Sequence, residues 1–140
     1  MLTRIDHIGI ACRDLAATIA LYQSAFGLAV VSEEIHADQG VREAMLCVAE
    51  APAGASYVQL LEPLAPDTPV GRFLDRRGEG IHHVGYGVTD IAAALSAIGA
   101  SGVRLIDSRA RHGSMGAAIA FLHPKDVGGV LTELVQAAAR

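Results

Sequence analysis

Apolar and polar positions at the start of the chain alternate as in a β-strand, which predicts a strand from Ile5 to Ala11. Asp14 is a suitable N-cap, and Gly27 a suitable end, for the helix that comes next. The apolar stripe of this helix consists of Leu15, Ile19, Tyr22 and Phe26. Three strand-like stretches follow at 28–35, 41–50 and 55–63 (LAVVSEEI, VREAMLCVAE and ASYVQLLEP). The first part of the chain is therefore predicted to have the element order β-α-β-β-β.

The same order of patterns returns in the second half of the chain. Asp90 is a suitable N-cap, and Gly102 a suitable end, for its helix. The inward positions of that helix are Ile91, Ala94, Leu95 and Ile98, and the predicted strands are 81–88, 103–110, 116–123 and 129–136. Between the halves, Thr68 and Pro69 precede a short predicted helix from Val70 to Arg77. The sequence thus predicts a single α+β domain over residues 1–140, made of two tandem βαβββ modules (1–63 and 81–140) and a linker (64–80).

A histidine-bearing phrase occurs twice, once in the first strand of each module. IDHIGIACRDL and GIHHVGYGVTDI match at His7 and His83, and again at the helix caps Asp14 and Asp90. Alternation along each strand places only small residues, such as Gly9, on the face of the histidine, while the opposite face is apolar. We therefore expect the apolar face to pack on the helix and the histidine face to border open space. A matched pair of such histidines favours a binding site over two separate core histidines.

The last strands of the two modules carry matching polar residues, Gln59 and Glu133, each followed by two aliphatic side chains. A carboxylate among aliphatic neighbours is costly to bury unless it is paired or bound to a metal. Exposure at the edge of a sheet is the simpler explanation for either residue alone. Together with the two histidines, the pattern predicts a ligand set of His7, Gln59, His83 and Glu133. Two imidazoles, an amide oxygen and a carboxylate suit an octahedral divalent ion such as Co²⁺, Mn²⁺, Ni²⁺ or Fe²⁺, and Zn²⁺ is also compatible.

Composition narrows the functional classes. With 140 residues, 51% of them hydrophobic, the chain is long enough for a single domain with a real core. The formal net charge of −4 argues against general nucleic-acid binding, and no apolar run approaches the length of a membrane span. The first residues carry no recognisable signal peptide, and two cysteines, Cys12 and Cys47, do not make a disulfide framework. We therefore expect a cytoplasmic protein with free thiols and no membrane or nucleic-acid partner.

The paired modules and their four candidate ligands resemble the vicinal oxygen chelate superfamily, in which a metal site lies in the cavity of the sheet. Four phrases, DHIGIA, QGVREAML, GEGIHHVGYGVTDI and FLHPKDVGGVLTEL, resemble the methylmalonyl-CoA epimerase family within it, and they cover nearly the whole chain. The resemblance implies metal-dependent epimerisation of (2R)- and (2S)-methylmalonyl-CoA through an enolate, a divalent ion that is most often cobalt, and a homodimer. It also implies that Glu43, in QGVREAML, is the base, and that the metal ligands are His7, Gln59, His83 and Glu133.

Inversion at a carbon between a thioester and a carboxylate needs acid–base groups on both faces of that carbon, which gives roles to two glutamates. Glu43 is expected to remove a proton, while the duplicate position in the second module, near Ala118, has no acid. Glu133, already expected at the metal, is the best candidate for the second proton carrier. Lys125, the only lysine in the sequence, precedes the strand of Glu133 and is a candidate contact for the phosphates of coenzyme A.

Other metal enzymes on this fold are the nearest alternatives. A lactoylglutathione lyase (glyoxalase) would also use four ligands, but the phrase QGVREAML is not expected in it. An extradiol dioxygenase would bind iron through two histidines and one glutamate, so a fourth ligand at Gln59 argues against it. A metal-free module that binds a small molecule is the alternative from a different class. Such members lose the ligands that this sequence keeps.

Overall fold

The computed structural model describes residues 1–139, in which the chain forms eight β-strands, three α-helices and two short 3₁₀ helices. The strands are β1 (Leu2–Ala11), β2 (Leu28–His36), β3 (Val41–Val48), β4 (Tyr57–Pro63), β5 (Gly80–Val88), β6 (Arg111–His112), β7 (Ala118–Leu122) and β8 (Thr132–Gln136). The α-helices are α1 (Leu15–Phe26), α2 (Pro69–Arg77) and α3 (Ile91–Ala100), and the 3₁₀ helices are Ser114–Gly116 and Pro124–Asp126. The predicted α+β class with two βαβββ repeats is confirmed. No helix among these residues has the length and apolar character needed to cross a lipid bilayer.

The described chain divides into two compact units. The first unit is His7–His82, and it contains α1, α2 and the strands from β2 to β4. The second unit joins Met1–Asp6 to the chain from His83 onward, and it contains α3 and the strands from β6 to β8. Strands β1 and β5 contribute residues to both units, because the boundaries fall within them.

In the first unit the strands follow the order β2-β3-β4-β1, with β1 parallel to β4 and the other pairs antiparallel. Helix α1 begins as predicted, since the side chain of Asp14 accepts a hydrogen bond from the backbone N–H of Ala17 at 3.0 Å. It ends as predicted at Gly27, which adopts the left-handed conformation (φ +68°) that a glycine reaches without strain. The predicted stripe is wrong at Phe26, which stacks edge-on against Tyr22 of the same helix and is 67% exposed instead of entering the core.

The hairpin of β2 and β3 contacts the beginning of helix α2 through its turn. Gly40 in this turn has a left-handed backbone (φ +70°), and a Cβ atom there would lie 2.5 Å from Cγ2 of Thr68. Thr68 caps α2 by accepting a hydrogen bond from the backbone N–H of Gly71 at 3.1 Å, and the helix predicted from Val70 to Arg77 is present and begins one residue earlier, at Pro69. A glycine at position 40 therefore meets two demands at once, the backbone conformation and the close approach to the cap.

Helix α2 covers one end of the histidine face of β1. Its buried residues Val70 and Leu74 pack with Ala11, Val41 and Leu61. Ala11 lies four residues after the histidine and on the same face of the strand. The expectation that this face borders open space is therefore wrong at this end, where the face belongs to the hydrophobic core.

In the second unit the strands follow the order β5-β8-β7-β6, with β5 parallel to β8 and the other pairs antiparallel. Helix α3 begins as predicted at Asp90, whose side chain accepts a hydrogen bond from the backbone N–H of Ala93 at 2.9 Å. The helix is capped at its C-terminus by Ser101, and Gly102 follows in a left-handed conformation (φ +99°). The predicted inward positions all pack in the core of this unit: Ile91, Ala94, Leu95 and Ile98.

The prediction of a strand at 103–110 is wrong. Only an isolated bridge forms there, at Leu105, and β6 is limited to Arg111–His112. The segment still makes backbone hydrogen bonds to the chain at 121–123, since the N–H of Ile106 donates to the carbonyl of Phe121 at 2.9 Å and the N–H of His123 donates to the carbonyl of Arg104 at 2.9 Å. The carboxylate of Asp126 also accepts hydrogen bonds from the backbone N–H and the guanidinium of Arg104 at 2.8–3.0 Å. These hydrogen bonds to Arg104 hold the pKa of Asp126 well below its usual range. A few backbone hydrogen bonds and an ion pair therefore stand where the sequence pattern indicated a continuous strand.

Candidate active site

The polar side chains predicted to form a metal site are all buried. Four side chains were predicted as ligands, and each is at most 6% exposed: His7, Gln59, His83 and Glu133. The predicted base, Glu43, is 1% exposed. Polar groups at this depth need hydrogen bonds or a bound ion to offset the loss of water. Both histidines are therefore enclosed, which corrects the expectation of open space beside them.

In the first unit, strand pairing places His7 and Gln59 on one face of the sheet. Gly9 of β1 lies opposite Gln59 of β4 in the parallel register, and His7 is two residues from Gly9. On the other side of β4, Gln59 lies opposite Met45 of β3. Because Gly9 has no side chain, the amide of Gln59 and the imidazole of His7 share a face without a bulky residue between them.

The predicted base, Glu43, contacts the predicted ligand Gln59. Glu43 lies on β3, where it pairs with Leu61 of β4, and the Nε2 atom of Gln59 donates a short hydrogen bond to its Oε2 atom. An ionised carboxylate only accepts hydrogen bonds, so the amide must turn its NH₂ group toward Glu43. The amide oxygen of Gln59 is thereby directed away from the base, which is the orientation that an oxygen ligand requires.

His36, to which the sequence patterns assign no role, lies beside the predicted base. Its Nε2 atom lies 3.0 Å from Oε1 of Glu43 and 3.5 Å from Oε2 of Glu34. The signal that could have found it is the four-residue turn at 37–40, because a tight hairpin pairs His36 with Val41 and Glu34 with Glu43. Side chains that pair across antiparallel strands lie on one face, so this register alone brings the histidine to the two glutamates.

In the second unit, the parallel pairing of β5 and β8 brings His83 and Glu133 together, since it aligns Gly85 with Glu133. The Nε2 atom of His83 lies 3.9 Å from Oε2 of Glu133. The imidazole also packs edge-on against the ring of Phe121, with the centroids 5.5 Å apart, and the guanidinium of Arg111 lies 5.6 Å from the Phe121 centroid. These aromatic and cation–π contacts restrict the orientation of the His83 ring.

One group of side chains within the first unit has the composition and spacing of metal ligands. Its ligand atoms lie within 4.8 Å of one another and belong to Glu34, His36 and Glu43. None of these three is among the predicted ligands, which are His7 and Gln59 in the first unit and His83 and Glu133 in the second. Imidazole nitrogens with a carboxylate oxygen suit a divalent ion of borderline softness.

Two residues near the site in sequence have different surroundings. Lys125, the predicted contact for coenzyme A, is exposed in the second 3₁₀ helix, where its backbone N–H donates a hydrogen bond to Nδ1 of His123 at 3.2 Å. Its part in binding stays a prediction. His82 packs edge-on against Phe73, and burial lowers its pKa to about 4, so its imidazole is neutral at pH 7.

Comparison with known proteins places this geometry in a family. Residues 6–121 match the model of the glyoxalase/bleomycin resistance protein/dioxygenase superfamily. A solved variant of methylmalonyl-CoA epimerase from Streptomyces coelicolor, in complex with 2-nitronate-propionyl-CoA, is 51% identical with a TM-score of 0.95, and the match covers 99% of this chain and 100% of that one. A solved methylmalonyl-CoA epimerase in complex with methylmalonyl-CoA and NH₄⁺ is 52% identical with a TM-score of 0.95, covering 99% and 97%. The ethylmalonyl-CoA/methylmalonyl-CoA epimerase of Cereibacter sphaeroides is 35% identical over 138 residues, 97% of this chain and 99% of that protein.

Proposed function

Because the chain belongs to the glyoxalase/bleomycin resistance protein/dioxygenase superfamily and, within it, to the methylmalonyl-CoA epimerases, we propose that it interconverts (2R)- and (2S)-methylmalonyl-CoA. The observation that carries this proposal is the buried carboxylate of Glu43, which is held by the amide of Gln59. A carboxylate enclosed in this way is suited to remove a proton from carbon, because it is ordered and shielded from bulk water. Solved relatives that bind the substrate or an analogue support the same substrate class.

The divalent ion of this reaction would be held by His7, Gln59, His83 and Glu133. Co²⁺ is the first expectation, and Mn²⁺, Ni²⁺, Fe²⁺ and Zn²⁺ are the others. The donor set fits such an ion, since it combines two imidazoles with an amide oxygen and a carboxylate, and all four side chains are buried. When bound, the ion supplies positive charge that stabilises the negative charge developing on the thioester oxygen of the enolate.

The proton moves between the substrate carbon and two carboxylates. On one face the C–H bond breaks, its electron pair stays with the substrate, and an oxygen of Glu43 takes the proton. On the opposite face Glu133 delivers a proton to the same carbon, so that the configuration inverts and the atoms balance. The reverse reaction exchanges the roles of the two glutamates. Glu133 can serve in both capacities because a carboxylate has two oxygens, one for a ligand bond and one for a proton.

A proton NMR assay in D₂O tests the activity itself. The α-proton signal of methylmalonyl-CoA should disappear as the enzyme exchanges it for deuterium, and the purified protein should contain a divalent metal. Ethylmalonyl-CoA is one methylene longer and should also be a substrate. Its kcat/KM should be lower than that of methylmalonyl-CoA by no more than about 10–200-fold, because a hydrophobic pocket discriminates weakly against one methylene. If the protein instead converts the adduct of methylglyoxal and glutathione, and does not exchange the α-proton of methylmalonyl-CoA, it is a lactoylglutathione lyase. A protein that binds no metal and exchanges no proton would be a binding module.

Replacing the base tests the role of Glu43. For the epimer that presents its α-proton to Glu43, we expect Glu43→Gln to keep the bound metal and to lower the exchange of that proton by about 10²–10⁴-fold, since general base catalysis contributes that much. Glutamine keeps the shape of the side chain and removes its ability to accept a proton. Metal content by mass spectrometry and exchange by NMR are measured on the same sample. Unchanged exchange would remove Glu43 from the mechanism.

Three further expectations belong to this proposal. Lys125 would contact the phosphates of coenzyme A, so Lys125→Ala should raise the KM for methylmalonyl-CoA and leave the KM for a methylmalonyl thioester of pantetheine unchanged.

The protein would be a homodimer, which sedimentation equilibrium can measure. It would act in the cytoplasm, the compartment expected from its free cysteines.

A further inference from the structure

His36 has surroundings that define where its proton lies. Its Nε2 atom faces two carboxylate oxygens, Oε1 of Glu43 at 3.0 Å and Oε2 of Glu34 at 3.5 Å, and its side chain is 15% exposed. An unprotonated Nε2 would set its lone pair against both anions, whereas a protonated Nε2 donates to them. The nitrogen that faces Glu43 is therefore the one that carries a proton.

The carboxylate of Glu43 is consequently held at both of its oxygens. Its Oε1 atom accepts a hydrogen bond from His36 on β2, and its Oε2 atom accepts one from Gln59 on β4. Two donors from the strands on either side of β3 fix both the position and the plane of the group. A base that is ordered before the substrate arrives needs no reorganisation during proton transfer, and small misplacements of a reacting group cost large factors in rate.

We propose that His36 is a positioning residue that holds Glu43 in the orientation required for proton transfer. This inference rests on the proposed function, because it assigns His36 to the base of that reaction. His36 acts through Glu43. The carboxylate of Glu34, two residues away on the same strand, lies 3.5 Å from the same Nε2 atom of the imidazole. The role is one of orientation, and it concerns only the face of the substrate that Glu43 serves.

The second unit supports this assignment because it lacks both members of the pair. Counted along the strands from the matched ligands of β4 and β8, Glu43 corresponds to Ile119 and His36 corresponds to Gly113. A Cβ atom at Gly113 would lie only 2.5 Å from Cγ2 of Ile119, so the isoleucine occupies the space of any side chain there. The histidine therefore occurs where the acid occurs and is missing where the acid is missing.

Three variants separate orientation from general structure. His36→Leu keeps the approximate volume and removes the donor, while His36→Gln keeps an N–H donor at nearly the reach of Nε2. His112→Leu is the matched control, since this histidine is exposed on β6 and belongs to the second unit, whereas the base belongs to the first. Thermal unfolding and metal content of each variant establish that fold and ligands are intact.

The readout is the initial rate at which each pure epimer loses its α-proton in D₂O. For the epimer that presents its proton to Glu43, we expect His36→Leu to lower kcat by about 10–100-fold with little change in KM. For the opposite epimer, whose proton faces Glu133, the loss should be less than about threefold, and His36→Gln should restore most of the rate for the first epimer. Equal loss for both epimers, no loss for either, or a failure of glutamine to restore the rate would overturn the inference.

A measurement on the unmodified protein keeps the inference testable if His36→Leu fails to fold. Nitrogen-15 NMR of the imidazoles should show a proton on Nε2 of His36 at neutral pH, and an unprotonated Nε2 would contradict the inference. Failure of the proposed function has a different signature, because the unmodified protein would then exchange the α-proton of neither epimer. If that protein is active and His36→Leu is equally active, the inference about His36 fails alone.

Discussion

The two repeats differ at one pair of positions that contact each other. In the first unit these positions hold Glu43 and His36, which contact each other at 3.0 Å, and in the second they hold Ile119 and Gly113. A buried acid needs hydrogen-bond donors, while a buried isoleucine needs only space. In this chain the acid and its histidine therefore occur together in one repeat and are both replaced in the other.

Other positions have stayed alike in the two repeats. Asp14 and Asp90 cap equivalent helices through equivalent hydrogen bonds, and both repeats keep a buried histidine in the first strand. Each also keeps a buried polar residue in its last strand, Gln59 in one and Glu133 in the other. The shared buried polar positions are those proposed for the metal, and the divergent positions are those proposed for proton transfer on one face.

The largest expected effect comes from the shared positions. If both repeats supply ligands to one ion, His7→Ala and His83→Ala should each release the metal and lower α-proton exchange by about 10³-fold or more, because the charge stabilisation at the thioester oxygen is lost. Metal content and NMR exchange rates check this. Excess Co²⁺ is added to each variant as a control, because activity that returns under these conditions means that metal binding is weakened and not abolished.

The two variants, His7→Ala and His83→Ala, should lose the metal to the same extent. Loss of metal from only one of the two variants would mean that the histidines play different roles despite their matched sequence. The comparison between shared and divergent positions would then have to be redrawn.

A smaller effect is expected in stability at the divergent positions. Gly113→Ala should lower the free energy of unfolding by about 1–3 kcal/mol, since its Cβ would crowd Cγ2 of Ile119. Ile119→Ala should cost about 2–5 kcal/mol through the cavity it leaves. The double variant should be more stable than the sum of the two losses implies, because removing Ile119 makes room for the new methyl group. Urea denaturation of all four proteins measures the coupling, and strict additivity would contradict the proposed contact.

The smallest effect distinguishes the two cysteines. Cys12 corresponds to Val88 of the second repeat, and both are buried in the core beside the first residue of a helix. Burial raises the pKa of the Cys12 thiol to about 11, so near pH 8 it remains protonated and unreactive. A thiol reagent should label only Cys47 in the native protein and both cysteines in urea. A Cys47→Ser variant that still reacts rapidly when native would show that Cys12 is accessible.

Much of the fold followed from local patterns in the sequence. The caps Asp14, Thr68 and Asp90 were predictable because each combines a short polar side chain with the start of an apolar helical stripe. The residues predicted as ligands were found to be buried, and the pairing of His83 with Glu133 follows from the parallel register of their strands. These features depend on periodicity and on a repeated phrase, both of which a sequence displays directly.

The errors concern contacts that periodicity does not encode. The segment 103–110 alternates like a strand, yet only an isolated bridge forms there, between Leu105 and Leu122, and the ion pair of Arg104 with Asp126 accompanies it. His36 escaped notice because its importance depends on pairing across a turn, which requires the register of β2 and β3. Phe26 continues an apolar stripe but lies on the last turn of its helix, where it stacks on the helix itself.

The close contact between Gly40 and Thr68 gives the linker an influence beyond joining the modules. Any larger residue at position 40 must displace either the side chain of Thr68 or the tip of the hairpin, and the hairpin carries His36 on one strand and Glu43 on the other. Changes in linker length during evolution would be transmitted along the same route. Selection on catalytic rate should therefore constrain a stretch of chain that contains neither a proposed ligand nor a proposed base.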